Sequence, residues 1–200
     1  MMTVALDTGD LQAVRLLLNA IPEGNQRART RAINRTLAGA RTDATTEVYK
    51  ELNLTKTRIR KDFKIFRASR AWPHGQLQSK GKPVGVASFS GTRQTKKGVS
   101  VKIKRRGSRE LLKHAFIATV KKARGAFWRD YGLKRAKYKP GKPYGRMPER
   151  YRLPIHRLSG PRIQDILGDN RVMARVMQKA GARYEKNYAH EIDYLLRQHR

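Results

Sequence analysis

The chain has 200 residues, enough for a hydrophobic core of its own, and we expect a single domain over residues 1–200. It contains no cysteine, which excludes disulfide scaffolds, thiol nucleophiles and cysteine-based metal sites. Its 46 basic and 15 acidic residues give a net charge of +31, which favours nucleic acid, an anionic membrane or an acidic protein surface as partner. No stretch approaches the roughly 20 apolar residues of a membrane span, and we find no signal peptide, so we expect no membrane association.

The positive charge is concentrated in the middle of the chain. Residues 63–150 carry 25 basic and 3 acidic side chains, whereas residues 1–62 and 151–200 have net charges of only +4 and +5. We therefore expect the middle to face the anionic partner and the two ends to act as helical scaffolding.

Residues 1–62 are predicted to form a helical N-terminal region. Apolar residues recur at helical spacing from Leu11 to Leu18, and again over a longer amphipathic helix at about 23–52. The stripe of the longer helix is rich in alanine, so it can pack closely on another helix or on a second copy of the chain. Thr55 can cap a shorter helix after it.

Residues 63–158 are predicted to form the β-sheet region, because the apolar period shortens to two. The strand candidates are 63–68, 84–89, 99–103, 116–120, 125–131 and 153–155. Together they predict a central antiparallel sheet of four or five strands with one wet, basic face. Two basic loops are predicted at 75–82 and 132–150, the first of them mobile.

Residues 159–200 are predicted to form the C-terminal helices, a short one at about 162–167 and a long one from Asn170 to the end. The predicted fold class is therefore α+β, with a long N-terminal helical region, a central antiparallel β-sheet with basic loops and a long C-terminal helix.

The candidates for contact with DNA or another anion are the lysines and arginines of the basic middle. They are Lys96, Lys97, Lys102, Lys104, Arg105 and Arg106 near one strand, and Lys134, Arg135, Lys137, Lys139 and Lys142 in the second basic loop. The nearby aromatic residues are Trp128, Tyr131, Tyr138 and Tyr144. Cations with interleaved aromatic rings are typical of sequence-tolerant nucleic-acid binding. Within this set we expect Trp128 to be a core residue. Acidic protein neighbours are the alternative partner.

Catalysis is not indicated, and we expect no enzyme, no cofactor and no metal. The five histidines show no metal-binding helical spacing, and His190-Glu191 lacks the second histidine of a zinc-protease helix. Only Glu110 and Asp130 offer carboxylates well inside the basic block, as a nuclease would need. Asp165 and Asp169 are better explained as caps and turns.

Residues 47–60 resemble a helix-turn-helix, with polar and basic residues in the second helix. Its turn has Asn53 where glycine is favoured, and its first helix is far longer than the motif uses. We favour a bent helix pair over this interpretation.

Four stretches, in their order and spacing, resemble the tailed-phage minor tail protein Z family, also described as tail completion proteins. They are residues 31–36 (RAINRT), 54–61 (LTKTRIRK), 114–120 with 125–129 (HAFIATV, GAFWR), and 152–155 with 158–161 (RLPI, LSGP) before the last helix. The resemblance covers roughly residues 25–200. The segment near 132–150 departs from it by being longer and more basic than the family leads us to expect.

The resemblance implies a structural virion protein, without cofactor or reaction, at the head-proximal (neck) end of a phage tail. There it would take part in tail assembly, tail completion and head–tail joining. The implied partners are copies of itself in a homo-oligomeric, hexameric ring around the DNA path, a connector or stopper, and a tail terminator or tube. Non-specific contact with phage DNA is also implied, and assembly would take place in the host cytoplasm.

Two alternatives remain open from the sequence. One is a sequence-nonspecific nucleic-acid-binding protein of ribosomal or nucleoid type, which the high pI and the aromatic-bearing basic loops favour. The other is a helix-turn-helix regulator, which predicts a two-fold dimer and preference for one DNA sequence.

Overall fold

The structure, a computed structural model, describes residues 23–120, 122–130 and 154–198. These residues form two compact units. The helical unit contains residues 23–50, 56–82 and 163–198, and the β unit contains residues 51–55 together with the described part of 83–162. The mixed α+β class is confirmed. The predicted helix before residue 20 and the predicted loop at 132–150 lie outside the described residues, and one domain over the whole chain stays a prediction.

The helical unit consists mainly of two long helices that pack against each other, α1 (Gly24–Glu51) and α4 (Asn170–Gln198). Both were predicted, because a stripe that recurs every three to four residues over this length fits only a helix. Contacts between them run in opposite order along the chain and join Glu47 to Lys179, Asp43 to Arg183, Thr36 to Asn187 and Arg35 to Glu191. The helices are therefore antiparallel.

The alanine stripe of α1 lies in this interface. Ala28 and Ala32 are fully buried, and Ala28 packs with Leu195 of α4. Small side chains let the two helix backbones approach closely. The stripe thus packs on another helix of the same chain, one of the two partners that its composition allowed.

Shorter elements complete the helical unit. They are α2 (Lys56–Arg60), β1 (Phe63–Phe66), β2 (Gln76–Ser79) and α3 (Ile163–Leu167). β1 pairs antiparallel with β2, and Ile65 lies opposite Leu77. The prediction of a mobile loop at 75–82 is therefore wrong for its central part. A two-stranded ribbon buries little surface, so the polar sequence of β2 suffices once β1 supplies its backbone partners.

The loop between β1 and β2 is fixed to α1. The Asn34 side chain donates a hydrogen bond to the Ala68 carbonyl (3.0 Å) and accepts one from the Ala68 amide (2.9 Å). The amide of Gln26 also donates to the Arg70 carbonyl (2.7 Å), and Arg70 pairs with Glu23 at 3.1 Å. These contacts hold the loop in one position on the helix.

The β unit contains eight strands in three small antiparallel sheets. The strands are β3 (Pro83–Gly85), β4 (Arg93–Thr95), β5 (Gly98–Val101), β6 (Glu110–Lys113), β7 (Phe116–Val120), β8 (Ala123–Arg129), β9 (Ile155–Arg157) and β10 (Ser159–Arg162). Their sheet orders are β10-β3, β4-β5-β6 and β7-β8-β9. The expectation of one sheet of four or five strands is wrong, because these short strands satisfy their hydrogen bonds in separate pairs and triplets.

The strand predicted at 84–89 is only half correct. β3 ends at Gly85, and Val86–Ser88 form a 3-10 turn. The hydroxyl of Thr92 donates to the carbonyls of Val86 (3.2 Å) and Phe89 (2.8 Å), which fixes this turn. Phe89 is thereby buried in the core of the β unit.

Candidate anion-binding cleft

Two turns of the β unit bring basic residues to the same place. Lys96 and Lys97 form the turn between β4 and β5, and Lys113 and His114 follow one another at the end of β6. Gly98 lies opposite Lys113 in the antiparallel β5–β6 pair, so both turns lie at the same end of this sheet. The backbone amide of His114 donates to the Lys97 carbonyl at 3.2 Å and joins the two turns directly.

The side chain of Gln94 fixes this arrangement. Its amide nitrogen donates to the carbonyls of Gly98 (3.2 Å) and Ala115 (3.4 Å), and its oxygen accepts a hydrogen bond from the Ile117 amide (2.8 Å). One glutamine therefore ties the β4–β5 hairpin to the beginning of β7. Fixed turns present their cations without the entropy cost of ordering a mobile loop.

Phe116 of β7 and Arg129 of β8 complete the cleft. The Arg129 guanidinium lies 5.1 Å from the centre of the Phe116 ring, in a cation–π contact. Phe116 pairs with Phe127 across the β7–β8 ladder, and the two ring centres are 6.1 Å apart. The contact with Phe127 holds the Phe116 ring in place beside the guanidinium.

The resulting cleft has a volume of about 610 Å³. Its lining includes Lys96, Lys97, Lys113, His114, Phe116 and Arg129. No carboxylate is present among the described residues that line it. The arrangement therefore favours an anion over a cation or a neutral ligand.

The structure divides the anion-contact residues predicted from the sequence. Lys96 and Lys97 line the cleft. Four other predicted anion-contact residues lie after the opposite end of β5, away from the cleft. They are Lys102, Lys104, Arg105 and Arg106. The predicted loop residues Lys134, Arg135, Lys137, Lys139 and Lys142 lie outside the described residues.

Two of the four residues that follow β5, Lys104 and Arg105, form backbone or side-chain contacts within the β unit. The Arg105 amide donates to the Glu51 carbonyl at 2.8 Å, and its guanidinium lies 3.4 Å from the Leu54 carbonyl. Lys104 forms a backbone bridge with Leu52. The side chains of Lys104 and Arg106 are exposed, so they add charge outside the cleft.

The sequence did not identify Lys113, His114 or Arg129 as site residues. Each lies in or beside a short strand whose local pattern carries no sign of a ligand. Lys113, His114 and Arg129 come together only through the pairing of β5 with β6 and of β7 with β8. This pairing joins residues that are distant in sequence, so a local pattern does not reveal it. A Lys-His pair directly before a predicted strand was the only available signal.

Trp128 corrects another expectation. It lies in β8 as predicted, but it is 41% exposed rather than part of the core. Burial in β8 ends at Phe127, and Trp128 is exposed, with its ring 5.4 Å from that of His156. The indole is therefore a surface group of the β unit.

The catalytic and metal-binding residue types do not converge within the parts of the chain that the structure describes. No group of three histidine, aspartate or glutamate side chains there could hold a metal ion.

The Asp169 carboxylate accepts a hydrogen bond from the Arg171 amide (2.8 Å), which caps α4 as predicted. No described helix is long and apolar enough to cross a membrane.

The candidate helix-turn-helix has a very short second helix. α2 contains five residues, and the chain enters β1 two residues later. A recognition helix must be long enough to lie in a major groove, and five residues rise only about 7 Å. The favoured interpretation, a bent pair of helices, agrees with this geometry.

The comparisons with known proteins give one match. The model of a family described as "Prophage minor tail protein Z (GPZ)" matches residues 8–199, almost the entire chain. Searches of curated proteins and of solved structures found no significant match.

Proposed function

We propose that this chain acts at the head-proximal end of the phage tail, because it belongs to the prophage minor tail protein Z family and is therefore a structural protein of the tail. Its role there is to complete the tail and to join it to the head. The observation that carries the proposal is the family match over residues 8–199. The family is structural and is not known for an enzymatic activity.

We further propose that six copies form a ring around the DNA path. A closed ring needs a heterologous contact, in which two different faces of each subunit meet. α1 and α4 cover each other's apolar stripes within one chain, so other surfaces must supply this contact. Exposed Met173, Met177 and Tyr194 of α4 are available for it.

Charge supports the position around DNA. A chain with net charge +31 repels its own copies, and DNA at the centre of the ring would neutralise part of this charge. Contacts of lysine and arginine with phosphates carry no sequence information, so DNA could slide past them. Lys96 and Lys97 in the cleft, with Lys104 and Arg106 outside it, are the described candidates for such contact. The partners above and below would be a connector or stopper and a tail terminator or tube.

Localisation in the virion tests the position. Phage carrying an epitope-tagged copy of this chain should show label at the junction of head and tail after assembly in the host. Label at the distal end of the tail would contradict the proposal. A protein absent from virions, but bound to cellular nucleic acid, would instead favour the ribosomal or nucleoid type of function.

The oligomeric state tests the ring. Light scattering of purified, nuclease-treated protein in high salt should give about six times the 22.9 kDa of one chain. High salt suppresses bound nucleic acid and charge-driven clumping. A two-fold dimer would contradict the ring.

A further inference from the structure

We infer that the cleft lined by Lys96, Lys97, Lys113 and Arg129 binds the sugar-phosphate backbone of a nucleic acid. Lys113 and Arg129 are the new members of this site, and they act together with the two lysines of the β4–β5 turn. That the nucleic acid in the virion is the phage DNA follows from the proposed function. The binding chemistry itself does not depend on it.

The first argument is the local charge. Four basic side chains line one cleft of about 610 Å³, without a carboxylate among its described lining residues. The helical unit shows the contrast, because there Lys179 has Glu47 at 2.8 Å and Arg183 has Asp43 at 2.7 Å. Cations that converge without an internal counterion repel one another, and a bound anion relieves this repulsion.

The second argument is the combination of groups. Lysines contact phosphates as mobile point charges, whereas the Arg129 guanidinium is planar and can donate two parallel hydrogen bonds to one phosphate. The guanidinium lies 5.1 Å from the centre of the Phe116 ring, in a cation–π contact that helps to hold it at the cleft. The ring also offers an apolar surface to a sugar or a base, which a simple carboxylate partner would not use.

The third argument is rigidity. The Gln94 side chain bonds to the backbone on both sides of the cleft, and the His114 amide joins its two turns. The backbone of the turns that carry the lysines therefore needs little reorganisation on binding. The size of the cleft also falls within the range of small-ligand pockets, about 300–1,000 Å³, which accommodates a nucleotide unit.

The chain offers a matched control for this inference. Lys96→Gln with Lys113→Gln removes two charges inside the cleft. Lys122→Gln with Arg124→Gln removes two charges in the same unit, from exposed residues at the end of the β7–β8 hairpin away from the cleft, neither of which is a candidate for DNA contact. The two double variants have the same net charge, so a difference between them reports on position.

The experiment measures binding of a short duplex DNA of mixed sequence at several salt concentrations. Each lost phosphate contact should flatten the slope of log K against log salt by about 0.9, so the cleft variant should lose about 1.8. The control should lose less than about a third of that. Equal losses in both variants, or an unchanged slope in the cleft variant with its circular dichroism preserved, would overturn the inference.

Two further measurements define the ligand. Arg129→Lys keeps the charge and loses the planar guanidinium, so it should weaken binding several-fold with little change in the salt slope. Polyglutamate of similar charge should compete much less well than DNA. Equal competition by polyglutamate would assign the cleft to an acidic protein partner and overturn the nucleic-acid inference.

The results separate this inference from the proposed function. Head-proximal label in the virion together with unchanged DNA binding by the cleft variant would refute the inference alone. Weakened binding by the cleft variant together with label at the distal end would refute the proposed position alone.

Discussion

Glu47 is the most informative residue to change in the helical unit, because its carboxylate is buried between three cations. Its side chain is 0% exposed, and its oxygens lie 3.0 Å from Lys50, 3.1 Å from Arg175 and 2.8 Å from Lys179. Arg175 and Lys179 belong to α4, so one carboxylate of α1 joins the two long helices. We predict that Glu47→Gln, which keeps the volume and removes the charge, destabilises the helical unit.

The magnitude follows from the exposure of the partners. An exposed ion pair contributes about 0–1 kcal/mol, whereas removing one partner of a buried pair costs about 3–5 kcal/mol. The carboxylate of Glu47 is buried, but its three partners are 46–54% exposed and can return to water when it is lost. We therefore expect a loss of about 2 kcal/mol, which lowers the melting temperature by about 4–8 °C for a chain of this size.

The pH dependence provides a second readout. The hydrogen bond from Lys179 and, after it, that from Lys50 lower the pKa of Glu47, although burial acts in the opposite direction. A pKa lower in the folded than in the unfolded chain gives a stabilisation that is fully present above the ordinary glutamate value of about 4.3. It is lost as the pH falls through the folded-state pKa. The difference between wild type and Glu47→Gln should thus be constant from about pH 7 to 5 and shrink below.

The assay is thermal and urea unfolding followed by helical circular dichroism. Glu185→Gln is the matched control, because Glu185 is exposed on α4 and no ion pair is described for it. A coupling energy of about 1 kcal/mol or more is expected in a double-mutant cycle of Glu47 with Lys179. A Glu47→Gln variant as stable as the control, or a loss of stability that is as large at about pH 3 as at pH 7, would contradict this prediction.

Three further changes test the local structure. Gly98→Ala should lower the stability of the β unit by more than about 3 kcal/mol, because Gly98 has φ 148° and a Cβ there would overlap the Leu112 carbonyl oxygen; a preserved melting temperature would contradict this. Gly181→Ala should instead stabilise α4 by about 0.5–1 kcal/mol, since a Cβ there meets nothing within 4 Å, and destabilisation in urea unfolding would be the contrary result. Asn34→Ala should lower the free energy of unfolding by about 1–3 kcal/mol and speed hydrogen exchange at Ala68, because the Ala68 amide and carbonyl lose their partner. Exchange at the wild-type rate would show that another contact holds the loop.

The β unit shows which part of its structure is local. Residues 116–120 and 125–131 were predicted as the strands β7 and β8, because short runs of apolar, β-branched and aromatic residues are readable in a short window. The same pattern does not say which strands are neighbours. The sequence therefore predicted one sheet of four or five strands, whereas the described part of the β unit has eight short strands in three sheets. The polar β2 of the helical unit was missed because pairing with β1, and not its own sequence, makes it a strand.

By itself, the sequence determined the two long helices, the α+β class and the concentration of positive charge in the middle of the chain. Helical periodicity over almost 30 residues is a local property, and charge is set by composition alone. The packing of the alanine stripe of α1 on α4, and the burial of Glu47 between three cations, became visible only in the folded chain. The tertiary structure also placed Lys113 and Arg129 beside Lys96 and Lys97, because strand register joins residues that are far apart in sequence and carry no local sign of one another.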